Sequence, residues 1–419
     1  MRRILVATLV VALIATIVGH YAALVLAPKP TFTGTVKIAF ASSLTGPGQS
    51  GALEMLKAAE AYTEDANRAG GINGQRVELV TFDDGNDPER GRAVAEKIAA
   101  DPSIVAVIGH NYSSVSLAAA PVYARTGLPA ITPASTHPDV TRNNSWYFRS
   151  IFSDISQGEF LARYAFEALN AKPVAVIATT NPYAKQIAAS FVGAAAPVGL
   201  ELRGQYWVDP KDAGFEAAVD QAIAGLRSLP KNTIILMAAH IDPAVIMVRR
   251  MRDAGLTNRI LGPDALGSTR FAHAFAEFPK EQVRPGFYTD GLFVSVPFLT
   301  DTGNREARRL IERLEAKEGA LKTWGAPFAY DAAKLVVTAA RRAGLKPEGP
   351  SGAEARRLIR DQLDAMHSQA NALIGTTGTL QFGADNTPSK PLVIGQFSGR
   401  LISSLVQLTH AYPVDTYTH

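Results

Sequence analysis

Short apolar runs alternate along the chain with polar tips and longer mixed segments, and this spacing predicts the elements. Thr35 to Ala41, Ile104 to Ile108 and Val174 to Thr179 have the length and apolar character of buried strands, and Val77 to Phe82, Leu128 to Thr132, Leu200 to Trp207 and Thr233 to Ala238 read as further strands. Segments of helical length lie between them, such as Gln49 to Ala69, closed by Gly70-Gly71, and Pro243 to Ala254, closed by Gly255. Strand and helix alternate through Thr132, and a second series begins after Arg149. This is the βαβ rhythm of a parallel sheet with helices on both faces. A chain of 419 residues exceeds the usual size of one domain, so two similar lobes are expected.

The polar tips carry the candidate chemistry. After Gly109 the tip His110-Asn111-Tyr112-Ser113-Ser114 leads into a helical run, which puts two hydroxyls beside the free N–H groups of a helix start. Such a place can hold an anion. The next strand ends in Pro133-Ala134-Ser135-Thr136. In an open α/β sheet ligands sit outside the carboxyl ends of the strands, where both tips fall. The plainer alternative is that Ser113, Ser114, Ser135 and Thr136 only cap helices. In the second series the strand ends carry Tyr183, His240 and Asp264. These equally suit a surface tyrosine in a turn, a loop histidine and a solvated Pro-Asp turn.

Gly46-Pro47-Gly48-Gln49-Ser50-Gly51 matches the dinucleotide fingerprint G-x-G-x-x-G. Four residues, Ser42 to Thr45, separate it from the strand, and Asp83 lies well past the spacing of a ribose-binding acid. An NAD enzyme is therefore not the expected reading. HExxH, Walker A and G-x-S-x-G motifs are missing from the sequence. A triad assembled from Ser113, His240 and Asp264 would have to span two lobes, whereas nucleophile and base must hold hydrogen-bond distance. No cofactor is implied.

Composition narrows the class. With 47% hydrophobic and 19% charged residues the chain is an ordered globular protein. Its net charge of +4 comes from scattered Lys and Arg with nearly as many acids, and no basic stripe suggests nucleic acid. Zero cysteine removes disulfides, thiolate chemistry and a lipid-bearing lipobox together. Arg2 and Arg3 precede an apolar run from Ile4 to Ala27. Residues 1–30 thus read as a signal peptide, cleaved after Val25-Leu26-Ala27, or as an uncleaved membrane anchor through residues 4–27.

The tip GHNYSS with its alanine-rich helix, followed by GLPAITPAST and FRS, resembles the ligand loop of the periplasmic leucine/isoleucine/valine-binding protein family. SLTGPGQSG, NRAGGINGQRVELVTFDDGNDP, DISQG, GLTNRILGPDALG and FAYDAAK fit the same pattern in order, over roughly residues 36 to 400. The resemblance implies an α/β fold of two Rossmann-like lobes with parallel-rich sheets joined by a multi-crossing hinge. Lobe I would comprise residues 31–152 and 287–380, and lobe II residues 153–286 and 381–419, with the ligand cleft between them. It further implies that Ser113 and Thr136 hold the α-carboxylate of an amino acid. The Ala134 carbonyl and Asp264 would receive its ammonium, and Tyr183 would close from the other lobe and supply a hydroxyl. Gln49 on the glycine-rich lip and His240, where aromatic residues are common, would also touch ligand. Asp264 stands where the family more often has Glu. The implied function is extracytoplasmic capture of a small amino acid by hinge closure and delivery to an ABC permease in the inner membrane. The alternatives are a sensory ectodomain of the same fold, or a binder of amides, urea or aromatic acids.

Overall fold

The structure is a computed structural model that describes residues 30–300, 303–399 and 406–412. The N-terminal segment read as a signal peptide or anchor lies outside the described residues. Among the described residues no helix is long and apolar enough to cross a membrane.

The first sheet contains β1 (Gly34–Ser42), β2 (Gln75–Asp83), β3 (Ile104–Gly109), β4 (Ala130–Thr132) and β5 (Tyr147–Arg149), in the order β2-β1-β3-β4-β5. All neighbours are parallel. The second contains β6 (Pro173–Thr179), β7 (Glu201–Val208), β8 (Ile234–Ala238), β9 (Ile260–Gly262) and β10 (Leu292–Val296). After the small hairpin β11 (Leu373–Gly375) and β12 (Gly378–Leu380), β13 (Val393–Gly399) and β14 (Val406–Tyr412) complete it, in the order β14-β13-β10-β9-β8-β6-β7. Only the β10–β13 and β13–β14 pairs of this sheet are antiparallel.

The period of two along each central strand explains why the runs are apolar throughout. Val36, Ile38 and Phe40 of β1 enter one core, and Ala39 and Ala41 enter the core on the opposite face. Likewise Val174, Val176 and Ala178 of β6 face one core of the second lobe while Ala175 and Ile177 face the other. With helices on both sides, neither face of a strand can be polar.

The hinge crossings differ in place from the expected boundaries. The return to the first lobe was expected at residue 287, but β10 pairs with β9 on one side and β13 on the other. All five of its residues are buried, and a strand buried on both faces needs ladder partners on both edges. The chain therefore leaves the second sheet only after Val296. Helix Gly325–Arg342 then packs on helix Gln49–Arg68, and helix Gly352–Asp364 on β3. The final crossing is also later than residue 381. Phe382 is buried in the first lobe's core, and the Asn386 amide donates to the carbonyls of Asn144 and Tyr147 at 2.9 and 3.2 Å.

Candidate functional site

Strand order locates the cleft. In the first sheet the order reverses between β1 and β3, and in the second between β6 and β8, so each lobe has a crevice at the carboxyl ends of those strands. The segments leaving these strands supply Gly48, Tyr112 and Ser113 from one lobe and Tyr183 and His240 from the other. The two crevices face each other around a cavity of about 110 Å3. The lobes also touch directly. The Tyr112 ring meets His240 edge-on at 4.7 Å, and the Trp324 indole donates to the Asp264 carbonyl at 2.9 Å.

On the first lobe Ser113, Ala134 and Thr136 line the cavity together. Helix Ser113–Thr126 has Tyr112 as its N-cap with no side-chain cap bond, so Ser113 and Ser114 stand in its first turn and do not cap it. The Ser113 hydroxyl accepts the His137 N–H at 3.3 Å. Ser135 is directed away, bonded to the Ser116 hydroxyl at 2.6 Å and donating to the His110 carbonyl at 3.1 Å. His110 is itself fully buried, with Nδ1 2.7 Å from Asp84 and Nε2 2.9 Å from the Tyr123 hydroxyl. That network is support under the tip.

The second lobe presents an acid. Asp264 is buried and lines the cavity. Its Oδ1 accepts from Gln157 at 2.8 Å and from the Tyr183 hydroxyl at 2.6 Å, while its own N–H donates to Gln157 at 2.8 Å. Both side-chain donors end on Oδ1. Burial pushes the Asp264 carboxyl up, against the hydrogen bonds from Tyr183 and Gln157. Tyr183, expected to offer its hydroxyl to a ligand, directs it to Asp264, while its ring stacks on His240 at 4.7 Å and 14°. Burial holds the His240 imidazole down at about 4, so at neutral pH it is an uncharged aromatic wall.

Of the residues expected at the site, the structure brings Ser113, Ala134, Thr136, Tyr183, His240 and Asp264 to one cavity. It does not bring Gln49 there. That side chain is exposed and donates to the Leu44 carbonyl at 2.9 Å, and the lip reaches the cavity through Gly48 and Gly51. The fingerprint acid Asp83 is likewise engaged elsewhere, accepting from Thr45 at 2.6 Å and Arg90 at 2.6 Å. Sequence reasoning missed Tyr112, Asp242, Arg270 and Trp324 in the lining. Arg270 follows Asp264 by six residues, a nearness that could have flagged it. Trp324 lies far along the chain, in the segment that returns over the cleft.

Asp154 was also missed. It begins helix Asp154–Glu167, and its N–H donates to the Thr136 carbonyl at 2.9 Å, which ties it to the site's hydroxyl tip. It is fully buried, and among the described residues neither carboxyl oxygen has a partner in good hydrogen-bond geometry, although the Thr136 hydroxyl lies near enough to pull on it. Burial and then the neighbouring Asp264 push it well above its ordinary 3.8, against the weaker pull of Thr136 and the buried Arg149 guanidinium. An acid raised in this way binds its proton more tightly in the folded chain than in the unfolded one. Stability therefore falls as pH rises from 3.8 through the raised value. Asp154→Asn should flatten this fall, with Asp264 contributing the remainder. Urea midpoints of ligand-free protein between pH 4 and 8 would test it, and an unchanged slope in the variant would remove Asp154 from the account.

Comparison with known proteins agrees with this geometry. The model of a family described as periplasmic binding protein matches residues 35–400. The Leu/Ile/Val-binding protein homolog 1 of Brucella abortus is 32% identical over 230 residues, covering 55% of this chain and 60% of that relative's length. The branched-chain amino acid transporter substrate binding protein LivJ from Streptococcus pneumoniae, solved with isoleucine, has a TM-score of 0.73 at 23% identity, over 90% of this chain and 100% of its own. An ABC transporter solute binding protein from R. palustris, solved with benzoate, has a TM-score of 0.74 at 16% identity, over 91% and 96%. At these identities the two structures speak for the fold alone. The family match spans nearly the whole described chain, and it coincides with two Rossmann-like lobes around an interlobe cleft. The chain belongs to the periplasmic binding protein family.

Proposed function

We propose that this protein is the extracytoplasmic solute-binding component of an ABC transporter, which takes a small α-amino acid into the cleft and delivers it to an inner-membrane permease. One observation carries the reading: the buried carboxyl of Asp264 shares a cavity with the hydroxyls of Ser113 and Thr136. A zwitterion needs this pairing. Its ammonium seeks a carboxylate and a carbonyl, here Asp264 and Ala134, and its carboxylate seeks hydroxyls and the N–H groups of a helix start, here Ser113 and Thr136. Because the two sets sit on opposite lobes, one ligand would bridge them and favour the closed arrangement, which is the signal a permease can read.

A second reading has its own support. Tyr112, Tyr183 and His240 form an aromatic wall, and the R. palustris neighbour was solved with benzoate. An aromatic acid would use the wall and the hydroxyls but set no cation against Asp264. Calorimetric titration of ligand-stripped protein with α-amino acids and with benzoates separates the two. Binding of an amino acid, lost on removal of its amino group, supports the zwitterion; silence across amino acids with binding of a benzoate replaces it.

A further inference from the structure

Besides Ser113, Thr136 and Asp264, the cavity is lined by Tyr112, His240, Ile241, Asp242 and Arg270, so a cation stands beside an apolar and aromatic wall. Arg270 lies in the short helix Thr269–His273, and its side chain is 31% exposed, turned between the cavity and solvent. Among the described residues its polar contact is to Asp242, at 3.5 Å. A guanidinium carries five N–H donors in a planar fork. One contact at the limit of hydrogen-bond length leaves that fork almost entirely unspent.

Asp242 is a weak competitor for it. Its side chain is 65% exposed, and the pair is long, so separating the two into water costs little. An aliphatic side chain reaching Arg270 would cover it without giving it a partner. A basic side chain would meet Asp242 but also the guanidinium's like charge. A carboxylate would fit the fork bidentately and displace Asp242 to solvent. The adjacent wall suits the methylenes of such a side chain, since His240 and Tyr112 present ring edges and faces and Ile241 an aliphatic surface.

We infer that Arg270 reads the far end of the ligand, and that the protein prefers α-amino acids bearing a second acidic group, the class of aspartate, glutamate and 2-aminoadipate, over aliphatic ones. This rests on the zwitterion reading above and deepens it. Asp242 then acts as a placeholder for the distal acid in the empty cleft.

The test is calorimetric titration of ligand-stripped protein with aspartate, glutamate, 2-aminoadipate, leucine, isoleucine and benzoate, repeated on Arg270→Gln and Asp242→Asn. At least one acidic amino acid should bind about tenfold or more tightly than leucine and isoleucine, the worth of one charge-assisted hydrogen bond. Arg270→Gln should erase that preference, weakening the acidic ligand by clearly more than leucine. Asp242→Asn, which removes the competing carboxylate, should tighten the acidic ligand; a merely structural ion pair would predict weakening. Should amino acids bind with leucine or isoleucine preferred, or should Arg270→Gln weaken all ligands alike, the inference fails while the zwitterion reading stands. Binding of benzoate alone overturns both.

Discussion

Asp264→Ala weakens binding of an α-amino acid by roughly 2 to 5 kcal/mol, the expected cost of leaving a buried ammonium without its counter-charge. The loss should be in affinity and not in fold. The carboxyl is buried against its own preference for water, so its removal relieves desolvation while costing the Gln157 and Tyr183 donors their acceptor. Asp264→Asn sharpens the experiment, because an amide oxygen can still accept from Gln157 and Tyr183 and only the charge is lost. Its affinity should fall nearly as far as that of the alanine variant, with thermal stability near the parent's. Calorimetry on ligand-stripped protein reads both, and an unchanged dissociation constant in either variant would remove Asp264 from the site.

Gly109→Ala is the strongest structural prediction. Gly109 ends β3 at a φ of +147°, opposite Ala41 in the β1 register. A Cβ placed there would lie 2.1 Å from the Ala41 carbonyl oxygen. The clash is with backbone in the middle of the sheet, and no side chain can rotate to relieve it. Either β1 separates from β3 or the tip carrying His110 through Ser113 is re-aimed, so the cost should exceed about 4 kcal/mol, in the range seen only when core packing or backbone is broken. Gly255→Ala is the matched control. Gly255 also has a positive φ, +80°, but a Cβ there has nothing within 4 Å, so only left-handed backbone strain of about 1 to 2 kcal/mol applies. Thermal melts of the two variants should separate widely. A Gly109→Ala protein that melts with the Gly255→Ala control would show that the β1–β3 contact yields more readily than its geometry implies.

The tip that Gly109 aims shows how much of the site was legible beforehand. A polar, hydroxyl-rich segment directly after a buried strand is a local signal, and it singled out Ser113 and Thr136, whereas Ala134 came only from the family resemblance. Tyr183, His240 and Asp264 were singled out the same way, each just after a strand of the second series, and all three line the cavity. Local signals misled where a side chain had a nearer partner. Gln49 satisfies its amide on the Leu44 carbonyl, five residues back, and Tyr183 gives its hydroxyl to Asp264 and not to the cleft.

What the sequence determined by itself is the alternation that makes two parallel-rich sheets, because strands covered on both faces must be apolar at every position and their ends must turn polar. That fixes the lobes and puts the polar tips at the carboxyl ends. Tertiary structure alone decided which strands share a sheet late in the chain, since β10 has the same apolar character wherever it pairs and only its ladder partners place it beyond β9. It also decided the company each cleft residue keeps. Arg270, Trp324 and Asp154 look unremarkable in sequence, one on a short helix, one before a helix and one at a helix start. They matter because the fold brings Arg270 and Trp324 to a single cavity and ties Asp154 to its hydroxyl tip, leaving, among the described residues, a guanidinium with one long contact and a carboxyl with no hydrogen bond of good geometry. Partnerlessness of this kind is a property of neighbours distant along the chain, and no local pattern encodes it.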